Sequence, residues 1–82
     1  MQGLNVVVWN GSLFITVEQE EYLADLKKLE DHIRMNQPLA EVAVGETTLW
    51  IRGAASVLYE ILQWIVDHID NTTSKVHVGG AK

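Results

Sequence analysis

The first part of the chain alternates apolar and polar positions around a turn, and this pattern predicts a β-hairpin over residues 4–17. Asn10-Gly11 is the strongest short hairpin signal, because a type I′ turn needs positive φ at both central positions. A two-residue turn also fixes the register, which agrees here with the hydrophobic pattern. The predicted pairs are Leu4 with Val17, Val6 with Ile15, Val7 with Phe14, Val8 with Leu13 and Trp9 with Ser12.

A helix is predicted after the hairpin, near 17–35. Thr16 and Gln19 have the spacing of a capping box, and Pro38 ends the helix because proline disfavours the α conformation in the residue before it. The apolar positions with helical spacing are Tyr22, Leu26, Leu29 and Ile33.

The pattern then starts again 36 positions later. The segment 39–52 alternates around Gly45-Glu46, and a second helix is predicted over 54–70. Two ββα units of similar length, 4–36 and 39–70, therefore form an internal repeat. The matching positions are Val6 and Val42, Val8 and Val44, Leu13 and Leu49, Ile15 and Ile51, Leu26 and Leu62, and Asp31-His32-Ile33 and Asp67-His68-Ile69.

These units predict one α+β domain over residues 1–70. We expect a four-stranded, antiparallel-rich sheet with both helices on one face, which is a two-layer sandwich. Residues 71–82 are expected to form a polar C-terminal tail, with one short strand-like segment at 75–78. The residues expected on the inner sheet face are Leu4, Val6, Val8, Leu13, Ile15, Val17, Ala40, Val42, Leu49 and Ile51.

The outer sheet face is unusual because it should be polar if it meets water. It carries Val7, Trp9, Phe14 and Trp50 instead. A contiguous apolar patch on a small protein often marks an interaction surface, so we expect a partner to bind here. The alternative is that the C-terminal tail folds over this face.

The second helix has an apolar arc that is wider than one packing face requires. Val57, Trp64 and His68 lie together on one flank of this helix. Tryptophan at such a position is typical of an interface, so this flank is a second candidate interface. The alternative is that Trp64 covers the edge of its own core.

Composition narrows the class of protein. The 82 residues are 48% hydrophobic, which excludes an intrinsically disordered chain, and they contain no cysteine, which excludes disulfides and zinc–thiolate sites. No apolar run is long enough to span a membrane and no signal peptide is visible, so we expect a cytoplasmic protein that does not bind membranes. The net charge of −5 argues against direct nucleic-acid binding.

The repeated Asp-His pairs are the strongest catalytic or metal-binding pattern in the sequence. Asp31-His32 and Asp67-His68 occupy matching helix ends, but neighbouring helical residues point about 100° apart and no third ligand has suitable spacing. We therefore expect no catalytic activity, no metal and no cofactor. The sequence predicts a protein–protein interaction module that self-associates through apolar surface, as a homodimer, or binds another protein.

An acidic surface supports an alternative function. Carboxylates that cluster on the first helix could mimic phosphates and block a DNA- or RNA-binding protein. The residues of this surface are Glu18, Glu20, Glu21, Asp25, Glu30 and Asp31.

A second alternative comes from the end of the chain. The order strand–strand–helix–strand–strand, followed by a short strand and Gly79-Gly80, resembles the ubiquitin-like β-grasp family. The resemblance implies a carrier protein that is joined through its C-terminal diglycine. The second long helix departs from that family, and Ala81-Lys82 would have to be removed to expose the diglycine.

Overall fold

The chain has an α+β fold in a computed structural model that describes residues 1–79. A five-stranded mixed sheet has the order β3-β4-β2-β1-β5, in which β5 is parallel to β1 and all other neighbours are antiparallel. The elements are β1 (Leu4–Trp9), β2 (Ser12–Val17), α1 (Leu23–Asn36), β3 (Glu41–Val44), β4 (Thr48–Arg52), α2 (Ala55–His68) and β5 (Lys75–Val78).

The first hairpin has the register that the sequence predicts, with every predicted pair between β1 and β2 in place. Asn10 and Gly11 both have positive φ, 49° and 75°. These are the signs that a type I′ turn requires, and its twist matches that of the flanking strands.

The strand pairings of the two ββα units are related by a local pseudo-two-fold symmetry. The β3–β4 register places Val42 opposite Ile51, which repeats 36 positions later the pairing of Val6 with Ile15. The equivalent strands β2 and β4 pair antiparallel. Phe14 therefore lies opposite Trp50, its own equivalent in the second unit, and the axis passes between them.

The core lies between the sheet and the two helices. Buried residues of both helices join one cluster with the inner-face residues of the strands, so both helices pack on the same face of the sheet. Alternation along the strands and helical spacing in α1 and α2 direct these side chains inward. The buried apolar residues are Leu4, Val6, Leu13, Ile15, Val17, Leu26, Leu29, Ile33, Leu49, Ile51, Leu58, Ile61 and Ile65.

The sheet has five strands rather than the expected four, because residues 75–78, the short strand-like segment expected in the tail, pair with β1. The amide of Gly79 donates to the carbonyl of Val8 at 2.9 Å, and the amide of Leu4 donates to the buried Ser74 hydroxyl at 3.1 Å. The sequence indicates this short strand but not its place in the sheet, because its partner β1 lies about 70 positions away. Gly80 to Lys82, the rest of the predicted tail, lie outside the described residues.

The predicted start of the first helix is also wrong. Thr16 does not cap a helix, since β2 continues to Val17, whose amide donates to the Thr47 carbonyl at 3.0 Å. The helix α1 begins only at Leu23, after a 3₁₀ turn. Sheet pairing and the burial of Val17 therefore prevail over the local capping signal. Within residues 1–79, no helix has the length and hydropathy needed to cross a membrane.

Candidate functional site

The outer face of the sheet, opposite the helices, carries an apolar row that crosses four of the five strands. The pairing places Val7 beside Phe14, Phe14 beside Trp50, and Trp50 beside Ala43, and His77 of β5 extends the row beyond Val7. Trp50 remains 42% exposed, although it lies near the middle of the sheet. The strand register thus assembles one continuous surface from residues that are far apart in sequence.

The aromatic rings of this face are ordered against each other. Phe14 and Trp50 stack with ring centroids 5.9 Å apart and an interplanar angle of 12°. The guanidinium carbon of Arg52 lies 5.8 Å from the Trp50 ring centroid, within the range of a cation–π contact. Stacked rings lose little freedom when a partner covers them, so this pair is suited to recognition.

Trp9, the fourth predicted residue of this face, lies at the border of the row. Its neighbours in the sheet are Ser12 on β2 and, one strand further, Arg52 on β4. The Trp9 ring packs against Gly79, where an added Cβ atom would lie 3.0 Å from a ring carbon. The indole is still 47% exposed, so it widens the apolar surface toward β5.

The charges around the outer face differ in sign from those of the whole protein. The cations Arg52 and Lys75 project from this side of the strands, whereas Glu41 is the acidic residue on these strands. Such a polar rim around an aromatic centre is the usual arrangement of a protein–protein interface.

The flank of α2 that is a candidate interface makes contacts within the chain. Trp64 of α2 lies between His32 of α1 and His68 of its own helix, with ring centroids 3.7 Å and 4.1 Å from the indole. Both angles between ring planes are below 20°, so the three rings form one stack. Trp64 and Val57 are half-buried and pack against the core cluster. The structure therefore favours the alternative in which Trp64 covers the edge of its own core.

The two imidazoles of this stack have different environments. The Nδ1 atom of His68 lies 2.8 Å from the carbonyl of Trp64, so Nδ1–H donates there, while the Nδ1 atom of His32 accepts from the Asn36 amide at 3.2 Å. Burial, followed by the charge of His68, lowers the pKa of His32. Because the indole separates the two rings, they cannot bind one metal ion together. Residues 1–79 contain no cluster of three or more His, Asp and Glu side chains that could hold a metal.

Basic side chains of α1 neutralise part of the acidic surface. Glu30 is buried and accepts from the Arg34 Nε at 2.8 Å, and Lys27 approaches both Glu30 and Asp31. The hydrogen bond from Arg34 is the main reason that the pKa of Glu30 is lowered. Asp25 accepts the backbone amide of Gln2 at 2.9 Å. The exposed members outside these contacts are Glu18, Glu20 and Glu21.

The diglycine of the second alternative is only partly within the described residues. Gly79 continues the pairing of β5 with β1 and packs on Trp9, so it belongs to the folded domain. Gly80 lies outside the described residues.

Two site features were missed at the sequence level. The repeat matches His32 with His68, but it does not indicate that the indole of Trp64 lies between the two rings. Arg52 also belongs to the outer face, and its position beside Trp50 follows from strand alternation.

Comparisons with known proteins assign no family. A scan against protein-family models finds no match to this chain, and a search of curated proteins finds no matching relative.

Proposed function

We propose that this protein is a non-enzymatic protein–protein interaction module that self-associates through the outer sheet face. The observation that carries the proposal is the apolar row of Val7, Phe14 and Trp50, with Trp9 at its border. Both tryptophans are exposed, and Val7 and Phe14 are half-buried. Both helices pack on the opposite face, so neither helix covers this row in the part of the chain that the structure describes.

Burial of this row would stabilise the association. An aromatic side chain buries roughly 150–250 Å² when fully covered, and the outer face contains Trp9, Phe14 and Trp50. Two such faces can pack as aligned sheets, with their strands about 30° apart. A homodimer is favoured because a two-fold interface uses the same patch twice, so one apolar face suffices to create it.

The polar rim makes the proposed contact selective. Arg52 and Glu41 lie opposite each other on neighbouring strands at one side of the apolar row. Rim charges affect orientation and association rate more than affinity. The proposed dimer should therefore weaken only slightly with salt, whereas a phosphate mimic would lose its partner steeply.

The test is sedimentation equilibrium at micromolar protein concentration. We expect the wild type to be dimeric and a Trp9→Ser, Trp50→Ser double variant to be monomeric with an unchanged circular dichroism spectrum. Met35→Ser with Tyr59→Ser is the matched control, because these residues are 82% and 68% exposed and belong to α1 and α2 rather than to the outer face. A monomeric wild type, or a double variant that stays dimeric, would contradict the proposal.

A further inference from the structure

The two pseudo-symmetric units differ at the edges of the sheet. In the first unit, the outer edge of β1 is covered by the parallel strand β5. The equivalent strand of the second unit is β3, which pairs only with β4 and forms one edge of the sheet in the described part of the chain. A strand position that is filled beside β1 is therefore open beside β3.

The backbone of β3 is oriented for an additional strand. The amide of Gly45 donates to the Thr48 carbonyl at 2.8 Å, so Gly45 faces β4. Backbone groups alternate between the two sides of a strand, so those of Val44 and Val42 point to the free edge. They correspond to Val8 and Val6, and the Val8 carbonyl accepts the Gly79 amide of the C-terminal segment.

The side chains show the same difference. Val6 is 1% exposed and Val8 is half-buried beside Val78, its partner on β5. Val44, the equivalent of Val8, is 52% exposed at the free edge. Leu39, just before β3, is exposed as well. The open edge thus lacks the apolar cover that β5 gives to the first unit.

The charge at this edge defines the chemistry of its ligand. On the filled edge, Lys75 lies beside Asn5, and the equivalent of Asn5 on the open edge is Glu41. A lysine in the added strand would therefore meet a carboxylate. We propose that the free edge of β3 binds, as a sixth strand parallel to β3, an extended segment of a partner protein in which apolar residues alternate with basic ones.

The residues of β5 itself have this pattern, Lys-Val-His-Val. A second copy could supply them only if its β5 left its own sheet and lost the bonds of Gly79 with Val8 and of Ser74 with Leu4. A segment from a different protein has no such cost. Because the edge is separate from the outer face, this proposal does not depend on self-association.

The probe is a capped peptide with the sequence of residues 73–79, Thr-Ser-Lys-Val-His-Val-Gly, titrated into isotopically labelled full-length protein. We expect amide chemical-shift changes concentrated on β3 and slower hydrogen exchange at Val42 and Val44. A peptide with glutamate in place of lysine should bind several-fold more weakly, because it places two carboxylates side by side.

Two pairs of variants make the test specific. Val44→Pro removes an amide that points to the free edge of β3 and should weaken peptide binding at least about tenfold. Val78→Pro is the matched change on β5, at the other edge of the sheet, and should leave peptide binding unchanged. Glu41→Lys should weaken binding by roughly two- to fivefold, and Glu21→Lys is its control for net charge. Circular dichroism verifies that each variant is folded.

Several outcomes would overturn the proposal. These are the absence of shifts on β3 at about 1 mM peptide, equal binding of the lysine and glutamate peptides, and shifts confined to β1 and β5. Val42 and Val44 amides that are already protected in the free protein and lose this protection on dilution would show that a second copy occupies the edge. Sedimentation of the outer-face variants tests self-association, and the peptide titration tests strand addition at β3. Each proposal can therefore fail independently of the other.

Discussion

The imidazole of His32 stacks on the indole of Trp64 with their ring centroids 3.7 Å apart. This contact joins α1 to α2, and His68 covers the other side of the same indole. The Met1 ammonium donates to the His68 carbonyl at 2.8 Å, so the start of the chain is fixed at the same end of α2. The stack thus connects both helices and the N-terminus on the helical side of the sheet.

Substitution of Trp64 should mainly lower stability, whereas substitution of Trp50 should mainly weaken self-association. We expect Trp64→Ser to lower the free energy of unfolding by about 2–3 kcal/mol, because it removes a half-buried side chain that packs on the core. Trp50→Ser should cost less, about 1 kcal/mol, since 42% of this residue is exposed and it lies outside the core cluster, but it should weaken self-association. Urea denaturation measures the stability of both variants, and sedimentation measures their self-association. If Trp64→Ser weakened self-association and Trp50→Ser did not, the interface would lie on the helix flank.

The stability of the fold should fall as His32 becomes protonated. Burial and the neighbouring His68 lower the pKa of His32 below its ordinary value of 6.5, so the folded state disfavours the imidazolium. The neutral His32 ring therefore contributes stability that is fully present above the pKa of the unfolded state. This stability is lost as the pH falls through the pKa of the folded state. We expect the free energy of unfolding to decline more steeply in the wild type than in His32→Gln as the pH falls below the ordinary histidine pKa of 6.5.

NMR titration gives an independent measurement of the same coupling. In His68→Gln the pKa of His32 should rise, because the charge that contributes to its lowering is removed. Identical His32 titration curves in the two proteins would show that the imidazoles do not interact across Trp64.

Glu30 should stabilise the protein at neutral pH through Arg34. The lowered pKa of Glu30 means that its contribution is present above the unfolded-state value and is lost as the pH falls through the folded-state value. Glu30→Gln should therefore cost roughly 0.5–1 kcal/mol at neutral pH, in the range of partly screened ion pairs. Thermal denaturation of the wild type and of Glu30→Gln should show that their difference in stability becomes smaller in acid. A difference that stays constant with pH would mean that it comes from packing.

Gly3 should be far less replaceable than Gly11. Both have positive φ, 67° and 75°, so alanine strains the backbone at either position by about 1 kcal/mol. At Gly3 the new Cβ would also overlap the ring of Tyr22, whereas nothing lies within 4 Å of it at Gly11. We expect Gly3→Ala to cost about 2–4 kcal/mol in urea denaturation and Gly11→Ala about 1 kcal/mol. Equal costs would mean that Tyr22 moves aside freely.

The sequence by itself determined the local elements of this protein. Alternation around Asn10-Gly11 specified the first hairpin and its register, because the turn geometry and the apolar pattern agree. Helical spacing identified the buried face of α1, including Leu29 and Ile33, and the repeat identified the second ββα unit. The outer-face row also follows from alternation, since a strand that buries one parity must present the other.

Only the tertiary structure decided the relations between distant segments. The addition of β5 to β1, the contact of Trp64 with His32 and the approach of Tyr22 to Gly3 join positions that no local periodicity connects. The start of α1 was also decided by the sheet, which uses the Thr16–Val17 segment as strand. Such choices depend on how much surface each pairing buries across the whole fold, and a short segment such as Lys75–Val78 becomes a strand only when a completed edge is there to receive it.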